Sequence, residues 1–568
     1  MQSVTEILSD AVERALDAPA LLRPCADPQF GDYQANGVMA VAKQTKQNPR
    51  ALAEKIVAQL SLNEICEPPT VAGAGFINFR LKPSFVAAQV SAAARDERHG
   101  VPLAAKPKTV VIDFSSPNVA KPMHVGHIRS TILGDCLARV LRFLGHRVIT
   151  DNHIGDWGTQ FGMLIVGWKK HRNDDALQRD AITELERLYK FVNEHGDREE
   201  AKSELVKLQQ GDPENRAIWQ QIIDLSKHEF DRIYSRLGVT FDYTLGESFY
   251  NPMLPGVVAE LRQRGIAVES DGAICVFTAD SKAPLIIQKA DGAFLYGTTD
   301  LATLQYRLDQ WHPDEIVYVT DGRQQLHFKQ VFSVARNWHT ELPDLRHVWF
   351  GSILGEDGKP LKTRSGENVK LGELLDEATE RALAVVTEKN PELPEQIRNT
   401  IARAVGIGAV KYADLSQNRT TDYVFSWQKM LAMTGNTAPY MQYAYVRVQS
   451  IFRKSDVGRV PSRGDGNPAA SGDAAYNITL DHPSELDLAK HILRFTETLH
   501  SVADDDKPNW LTAYLYDLAG KFSAFYDNCP VIQSAEPTRS SRLQLCRLTA
   551  DIMKRGLNLL GIDVIEQM

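Results

Sequence analysis

Cysteine is scarce: six in 568 residues, and none of Cys25, Cys66, Cys136, Cys275, Cys529 or Cys546 stands in a C-x-x-C pair. That spacing argues against a zinc knuckle or a disulfide framework and fits a reducing cytoplasm, so no structural metal is expected. No apolar run approaches the roughly 18 residues of a membrane-spanning helix. The opening MQSVTEILSDAVERAL has neither the basic stretch nor the apolar core of a secretory leader; it predicts an acidic amphipathic helix. Positive charge is not in excess either. Lys and Arg number 64 against 72 Asp and Glu, a net charge of −8, so any nucleic-acid binding has to come from local basic patches. There is no internal repeat. With 43% hydrophobic and 24% charged residues the chain has ordinary globular composition, and its length allows about three or four domains.

Read along the chain, three textures follow one another. Residues 1–105 predict a small α/β domain, with helices over Val4–Leu16 (Ile7, Leu8, Val12 and Leu16 on one face) and about Pro49–Leu60. The glycine-punctuated FGDYQANG (Phe30–Gly37) lies between them, and GFINFRL (Gly75–Leu81) alternates as a strand does. Residues 106–390 predict a doubly wound parallel sheet. TVVIDF (Thr109–Phe114) is nearly continuous in apolar character, as suits a strand buried on both faces. A helical run follows, with Ile128, Ile132, Cys136, Val140 and Leu144 at helical spacing and Gly145 as its stop, and RVITDNHIG supplies the next strand. Further strands are expected at Pro284–Gln288, Ala293–Thr298, Glu315–Thr320 and His347–Ile353, with a helical insertion around residues 174–237. Residues 391–568 predict an all-α domain interrupted by a Gly/Ser/Pro/Asp-rich loop, 455–475. The expected fold class is therefore α/β: a Rossmann-like, doubly wound parallel-sheet core with an N-terminal α/β domain and a C-terminal all-α helical domain.

The chemistry-bearing stretch is SSPNVAKPMHVGH, Ser115–His127, between the first buried strand and its helix. Ligands of open parallel sheets bind outside the carboxyl ends of strands. The helix start offers free N–H groups to phosphate, and Gly126 permits close approach of a ligand to the backbone. His124 and His127, three apart, both can face that phosphate and donate to charge developing on it. An isolated H-x-G-H is a weak signal, and a histidine that merely caps or packs the helix is the alternative; the strand before and the helix after weigh toward phosphate chemistry.

HVGH resembles the H-I-G-H signature of class I aminoacyl-tRNA synthetases. The longer SSPNVAKPMHVGHIRSTILGD, followed by HIGDWGTQFG (His153–Gly162), resembles the arginyl-tRNA synthetase family of bacterial type. FGDYQANG and GFINFRL resemble that family's extra N-terminal domain, and the helical end resembles its anticodon-binding domain, so the likeness covers essentially the whole chain. It implies an ATP-dependent arginine–tRNA ligase. L-arginine and ATP, the latter accompanied by Mg²⁺, give arginyl-adenylate and pyrophosphate; the arginyl group then passes to the 3′-terminal adenosine of the tRNA for arginine. It further implies that bound tRNA is needed for efficient activation, and a cytoplasmic, monomeric enzyme with no membrane partner.

The resemblance also assigns residues. His124 and His127 match the signature histidines and are assigned, with Gly126, to ATP and to the charge on its phosphates. Lys121, ahead of the signature, is a cationic candidate for the triphosphate, or a solvated loop lysine. K-M-S-K-S is absent. GEDGKPLKTRSGENVKL (Gly355–Leu371) is its counterpart, where Lys362 and Ser365 match and Thr363 and Arg364 depart; a basic turn is the alternative. The substrate guanidinium is planar, permanently charged and rich in donors, so its site needs carboxylates. Asp113, Tyr296 and Asp300 match guanidinium-contacting positions, Asn118 and Gln324 those that hold the α-amino group, and Ser116 and His124 complete the substrate set. Taken singly, Asp300 is equally a helix-start carboxylate, Tyr296 a core aromatic and Asn118 a turn former. His153, Asp156, Trp157 and Gln160 are read as a wall of the same site, Trp157 by packing. Candidates for tRNA are Tyr443, Arg447 and Arg453, beside Tyr440 and Tyr445 in YMQYAYVRVQSIFRK, and Tyr33 and Asn36 of the N-terminal module, where the resemblance points to the tRNA elbow. A tyrosine core face with a solvated charged face is the alternative for the former. The rival readings are another class I synthetase or small nucleotidyltransferase sharing H-x-G-H, and a non-catalytic tRNA-binding paralogue.

Overall fold

The computed structural model describes residues 2–279, 281–362, 369–454 and 477–566. The expected loop 455–475, and Thr363, Arg364 and Ser365, lie outside them. The N-terminal module sets α1 (Val4–Leu16), α2 (Gly37–Thr45), α3 (Pro49–Val57) and α4 (Pro83–Arg95) around a four-stranded antiparallel sheet. Its strands are β1 (Leu22–Pro24), β2 (Tyr33–Ala35), β3 (Thr70–Ala72) and β4 (Phe76–Phe79), in the order β1-β2-β4-β3. Ser3 and Glu6 close a capping box on α1. Its buried stripe is Val4, Leu8, Val12 and Leu16; Ile7 stands at the margin, half-buried.

The central sheet is parallel, in the order β11-β10-β5-β6, with β5 Thr109–Asp113, β6 Arg147–Asp151, β10 Glu315–Tyr318 and β11 Asp344–His347. Alternate residues serve opposite cores. Val110, Ile112, Val148 and Val317 pack on the side of α5 (Val125–Leu144). Val111, Ile149, Ile316 and Tyr318 pack with α13 (Tyr296–Trp311) and α14 (Gln325–Trp338). A strand with both faces covered has no polar face to show, which is why TVVIDF reads as one apolar run. Each such buried aliphatic side chain contributes ~1.5–3 kcal/mol relative to exposure. From β5 the chain leaves through α5 to β6 on one flank; from β10 it leaves through α14 to β11 on the other. The carboxyl ends of β5 and β10 thus flank the topological switch point, where open α/β sheets bind ligands.

Between β6 and β10 come α6 (Gln160–His171), the helical insertion α7 (Asp174–Arg179), α8 (Ala181–His195), α9 (Arg198–Gln210) and α10 (Pro213–Leu237), then α11 (Glu247–Tyr250) and α12 (Leu254–Gln263). A small antiparallel sheet follows, β7 (Val268–Ser270), β8 (Ala273–Val276) and β9 (Leu285–Gln288). The expected strand at Pro284–Gln288 is therefore β9 and belongs to this sheet, not to the parallel one. The strand expected at Ala293–Thr298 does not form: Tyr296 already begins α13, because the helical period of LATLQYRL overrides the β preference of the aromatics before it. The strand expected at His347–Ile353 is displaced: β11 runs over Asp344–His347, in register with Glu315–Tyr318, and Ile353 begins the short β12 instead.

The helical region comprises α15 (Leu371–Lys389), α16 (Glu395–Leu415), α17 (Trp427–Met430), α18 (Ala438–Lys454), α19 (Pro483–Leu493), α20 (Phe495–Asp505), α21 (Asn509–Asn528) and α22 (Thr538–Leu559). α15 already belongs to it. Gly406 of α16 sits so close to the Ala378 carbonyl that a Cβ there would lie 2.5 Å from the oxygen. A two-residue ladder of β12 (Ile353–Leu354) and β13 (Tyr423–Val424) joins the sheet to this region. A buried Arg129–Asp414 pair at 3.0 Å ties α5 to α16. No helix among the described residues is long and apolar enough to cross a membrane.

Candidate active site

The loop from β5 to α5 holds three non-glycine residues in the left-handed region, Ser115 (φ +73°), Ser116 (φ +50°) and Ala120 (φ +60°), a cost of roughly 1–2 kcal/mol each. Buried hydrogen bonds hold them there. The Ser115 N–H donates to Ser130 Oγ at 2.8 Å, and Ser115 Oγ shares a hydrogen bond with the Tyr234 hydroxyl at 2.8 Å. The Ser116 N–H donates to Asn152 Oδ1 (3.1 Å) and the Ala120 N–H to Ser226 Oγ (3.0 Å). Strain fixed by a closed polar network is preorganisation, and it sits where the sheet directs a ligand.

His124 and His127 form a capping box made of imidazoles. The Gly126 N–H donates to His124 Nδ1 (3.0 Å), the His124 N–H donates to His127 Nδ1 (3.1 Å), and the ring centroids are 4.0 Å apart. A ring nitrogen that accepts from an amide carries no proton, so in each neutral ring the hydrogen is on Nε2. Burial pushes His127 down to about 3, with the charge of His124 adding to it; burial and then Arg323 lower His124. Both are neutral at pH 7 and present an Nε2–H donor. Gly126 also serves the cap: a Cβ there would meet the His124 ring at 2.8 Å. Glycine makes room for the cap itself.

Lys121 is exposed on the approach to this helix, its Nζ 5.6 Å from the centre of the Tyr189 ring on α8. Lys362 is exposed. Arg323, at the end of β10's loop, has an 88% exposed side chain held by Asp321 at 2.8 and 3.0 Å. It stands close enough to His124 to depress its basicity.

The expected guanidinium set divides. Asp113 is not available to a ligand, which corrects the sequence expectation. Its Oδ2 is 2.6 Å from Arg307 Nη2 and its Oδ1 accepts from Ser116 Oγ at 3.1 Å. Arg307, 0% exposed, also meets Asp151 Oδ2 at 2.8 Å. The protein's own guanidinium has taken these acids into the core, and Ser116 is tied to that internal network through Asp113. Tyr296 opens α13, and Asp300 lies one turn further on. Tyr296 is 72% exposed, not a core aromatic, and Asp300 is half-buried. Asn118 and Gln324 are exposed, the former laid over Gly155, where a Cβ would sit 2.2 Å from Asn118 Oδ1.

HIGDWG builds the wall. Asp156 accepts from the Ser248 N–H (2.8 Å) and Ser248 Oγ (2.6 Å), fixing α11. Trp157 packs edge-on against Trp219 at 5.8 Å, Gln160 donates to the Trp157 carbonyl at 3.4 Å, and the His153 ring lies 5.4 Å from that of Tyr250. On α11 sits a residue that sequence reasoning missed, Glu247. Burial, then Asp156 and Asp300, push its carboxyl up to about 8. GESFY carries no motif, so nothing in the sequence marked it. His327, also missed, contacts Asp300 Oδ2 through Nε2 at 2.5 Å; its place one turn after Gln324 in DGRQQLH was a usable signal. Among the described residues no three His, Cys, Asp or Glu side chains cluster as metal ligands.

Away from the sheet, Tyr33 is corrected. It is 3% exposed, with its hydroxyl donating to Glu497 Oε1 at 2.6 Å, a bond between the N-terminal module and α20. Asn36 is half-buried, and its Oδ1 has no hydrogen-bond partner among the described residues. Tyr443 is exposed, and Arg447 lies over the Tyr526 ring at 5.3 Å. Tyr445 is core, whereas Arg453 is exposed, its guanidinium donating to the Glu566 carbonyl at 2.8 Å.

A strained loop at the switch point and two imidazole N–H donors at a helix start belong to the catalytic domain of a class I tRNA synthetase. The matching family model, tRNA synthetases class I (R), catalytic domain, covers residues 89–427. The arginyl tRNA synthetase N terminal domain matches residues 2–81 and the DALR anticodon binding domain residues 441–568. The arginine–tRNA ligases of Enterobacter sp. (strain 638) and Shigella sonnei (strain Ss046) are 48% and 47% identical, over 100% of this chain and of each relative. The arginyl-tRNA synthetase of Plasmodium falciparum superposes over 100% of both chains with a TM-score of 0.85 at 31% identity. That of Thermus thermophilus, at 24% identity and a TM-score of 0.83 over 100% of both chains, shares the fold. The chain belongs to the arginyl-tRNA synthetase family.

Proposed function

We propose that Glu247 and Asp300 hold the guanidinium of L-arginine while His124 and His127 hold ATP phosphate charge. The chain is an arginine–tRNA ligase: it converts L-arginine and ATP to arginyl-adenylate and pyrophosphate, then transfers arginine to the 3′-terminal adenosine of its tRNA. One observation carries the residue assignment. Asp300 lies close enough to Glu247 to raise the cost of ionising Glu247, and among the described residues no lysine or arginine pairs with either. A pocket that keeps two acids without a cation is built for a cationic ligand. Tyr296 adds a hydroxyl, and the side-chain carbonyls of Asn118 and Gln324 accept from the α-ammonium. In-line attack of the carboxylate on the α-phosphate then needs positioning and charge stabilisation more than covalent help. Lys121, Lys362 and Arg323 face the triphosphate, which enters as its Mg²⁺ complex. Residues 1–105, with Asn36, and residues 391–568, with Tyr443 and Arg447, contact tRNA. The enzyme acts as a cytoplasmic monomer.

Asp300→Asn should raise the arginine KM by roughly 10- to 100-fold, the worth of a charge-assisted hydrogen bond, with the ATP KM unchanged in tRNA-supplemented ATP–pyrophosphate exchange. An unaltered arginine KM leaves Asp300 as a helix-start carboxylate. A pH dependence follows from Glu247. Below about 8 its carboxyl holds a proton, and a guanidinium binds the ionised form. Arginine affinity should therefore rise with pH between 6 and 8, by at most about tenfold per unit. Binding at pH 7 should release close to one proton, read by calorimetry in buffers of different ionisation enthalpy. Glu247→Gln should abolish the release; a buffer-independent wild-type enthalpy would contradict the assignment.

A further inference from the structure

We propose that His327 is the positioning residue of the guanidinium pocket. Its Nε2–H locks Asp300 in an orientation that leaves one carboxylate oxygen for the substrate, and so sets the preference for a planar guanidinium over an ammonium. The inference rests on the reading of Asp300 given above.

Asp300 stands in α13, one turn after its start, and His327 in the first turn of α14, 27 residues apart. Their contact joins Nε2 to Oδ2 at 2.5 Å, with side chains 26% and 22% exposed. A carboxylate only accepts, so the hydrogen is on Nε2. The other oxygen, Oδ1, accepts no hydrogen bond from a described residue. An unheld aspartate rotates about χ1 and χ2 and offers an ammonium the same charge in any pose. A fork of N–H groups needs acceptors at fixed places. The imidazole supplies that fixity without a permanent charge; a lysine or arginine in its place would neutralise Asp300 and compete with the substrate.

The ring is itself held from behind. It meets Phe328 edge-on at 5.4 Å, and Phe328 lies 4.6 Å from the ring of His347 at the end of β11. His347 binds Thr320 Oγ1 through Nε2 at 2.7 Å. Burial, then Arg419 and His327, keep it low, at about 4, so it is neutral. The titratable groups facing His327 are thus Asp300 from α13, with Glu247 of α11 beyond it, and His347 from β11. Burial disfavours the cationic ring, but the Asp300 hydrogen bond and charge outweigh it, so the ring is held above its ordinary value. Acid converts it to a cation that competes with arginine for Asp300.

The test is a substitution series in the full-length enzyme with tRNA. His327→Ala should raise the arginine KM about tenfold or more, leave the ATP KM within about twofold, and change the inhibition constant of lysine far less than the arginine KM, since an ammonium does not need the fixed oxygen. His327→Gln, whose amide nitrogen reaches the place of Nε2, should restore the arginine KM to within about threefold of wild type. His327→Leu, similar in volume but without a donor, should not. Equal defects in the Gln and Leu variants overturn the proposal, as does an unchanged arginine KM in His327→Ala when Asp300→Asn raises it. If Asp300→Asn itself leaves the arginine KM alone, the reading of the pocket fails and the proposal with it. Should the Ala variant not fold, the Gln–Leu comparison still decides.

Discussion

Arg307→Met should be the most destabilising single change in the sheet, costing about 3–5 kcal/mol, the usual loss when one partner of a buried ion pair is removed. Arg307 reaches from α13 to the carboxyl ends of β5 and β6, where Asp113 and Asp151 face each other in register. Burial opposes its charge, and the two carboxylates outweigh that and hold it well above its ordinary value. The Tyr318 ring, 5.3 Å from the guanidinium carbon, closes the site. Without the cation two like charges share a dry site at the base of the strained loop. The sign of the pH effect is fixed. Burial already raises Asp151 despite Arg307, and loss of the cation removes the one influence that holds it down most. In the variant, stability should thus recover as pH falls through the raised carboxyl values and worsen as pH rises. Asp113→Asn with Asp151→Asn in the Arg307→Met background should restore part of the loss. Thermal melting across pH 5–8 checks both. A variant within about 1 kcal/mol of wild type would mean that the triad is dispensable.

His127→Asn should depress ATP–pyrophosphate exchange by about 10²–10³-fold, the effect of removing one donor from a developing charge, with tRNA affinity little changed. Asparagine is the informative replacement. Its side-chain oxygen takes the place of Nδ1 and keeps the bond from the His124 N–H, but nothing replaces the Nε2–H. His127→Ala loses both and should add about 1 kcal/mol of destabilisation from the broken cap. Melting temperature separates the two variants, and exchange rate should not. Because His127 is neutral down to about 3, its own ionisation should leave no mark on the exchange rate between pH 6 and 9. An Asn variant exchanging at near wild-type rate would reduce His127 to a cap.

Much of this site was legible in the sequence where the governing forces are local. The apolar run Thr109–Phe114, the helical period after Val125 and the H-x-G-H between them dictate a strand, a helix and a phosphate-facing start. The longer string around them identifies the family. Short-range geometry decides such features, because neighbouring side chains and backbone amides in one segment are the main actors. Even the imidazole capping box spans only four residues, His124 to His127. The strand expected at Ala293–Thr298 failed on the same scale, where two local preferences competed and the longer helical period won.

The sequence by itself determined that this is a Rossmann-like synthetase of the arginyl family with H-x-G-H at the start of α5. Only the tertiary structure decided which acids are committed to partners within the fold. Asp113 is committed to Arg307, 194 residues away; Tyr33 to Glu497, 464 residues away; Asp300 to His327 across two helix starts. Glu247 enters the pocket from a four-residue helix with no signature. An ion pair or a raised carboxyl depends on which strand ends and helix starts abut and on how much water they exclude. Those are properties of packed elements, and no window along the chain contains them.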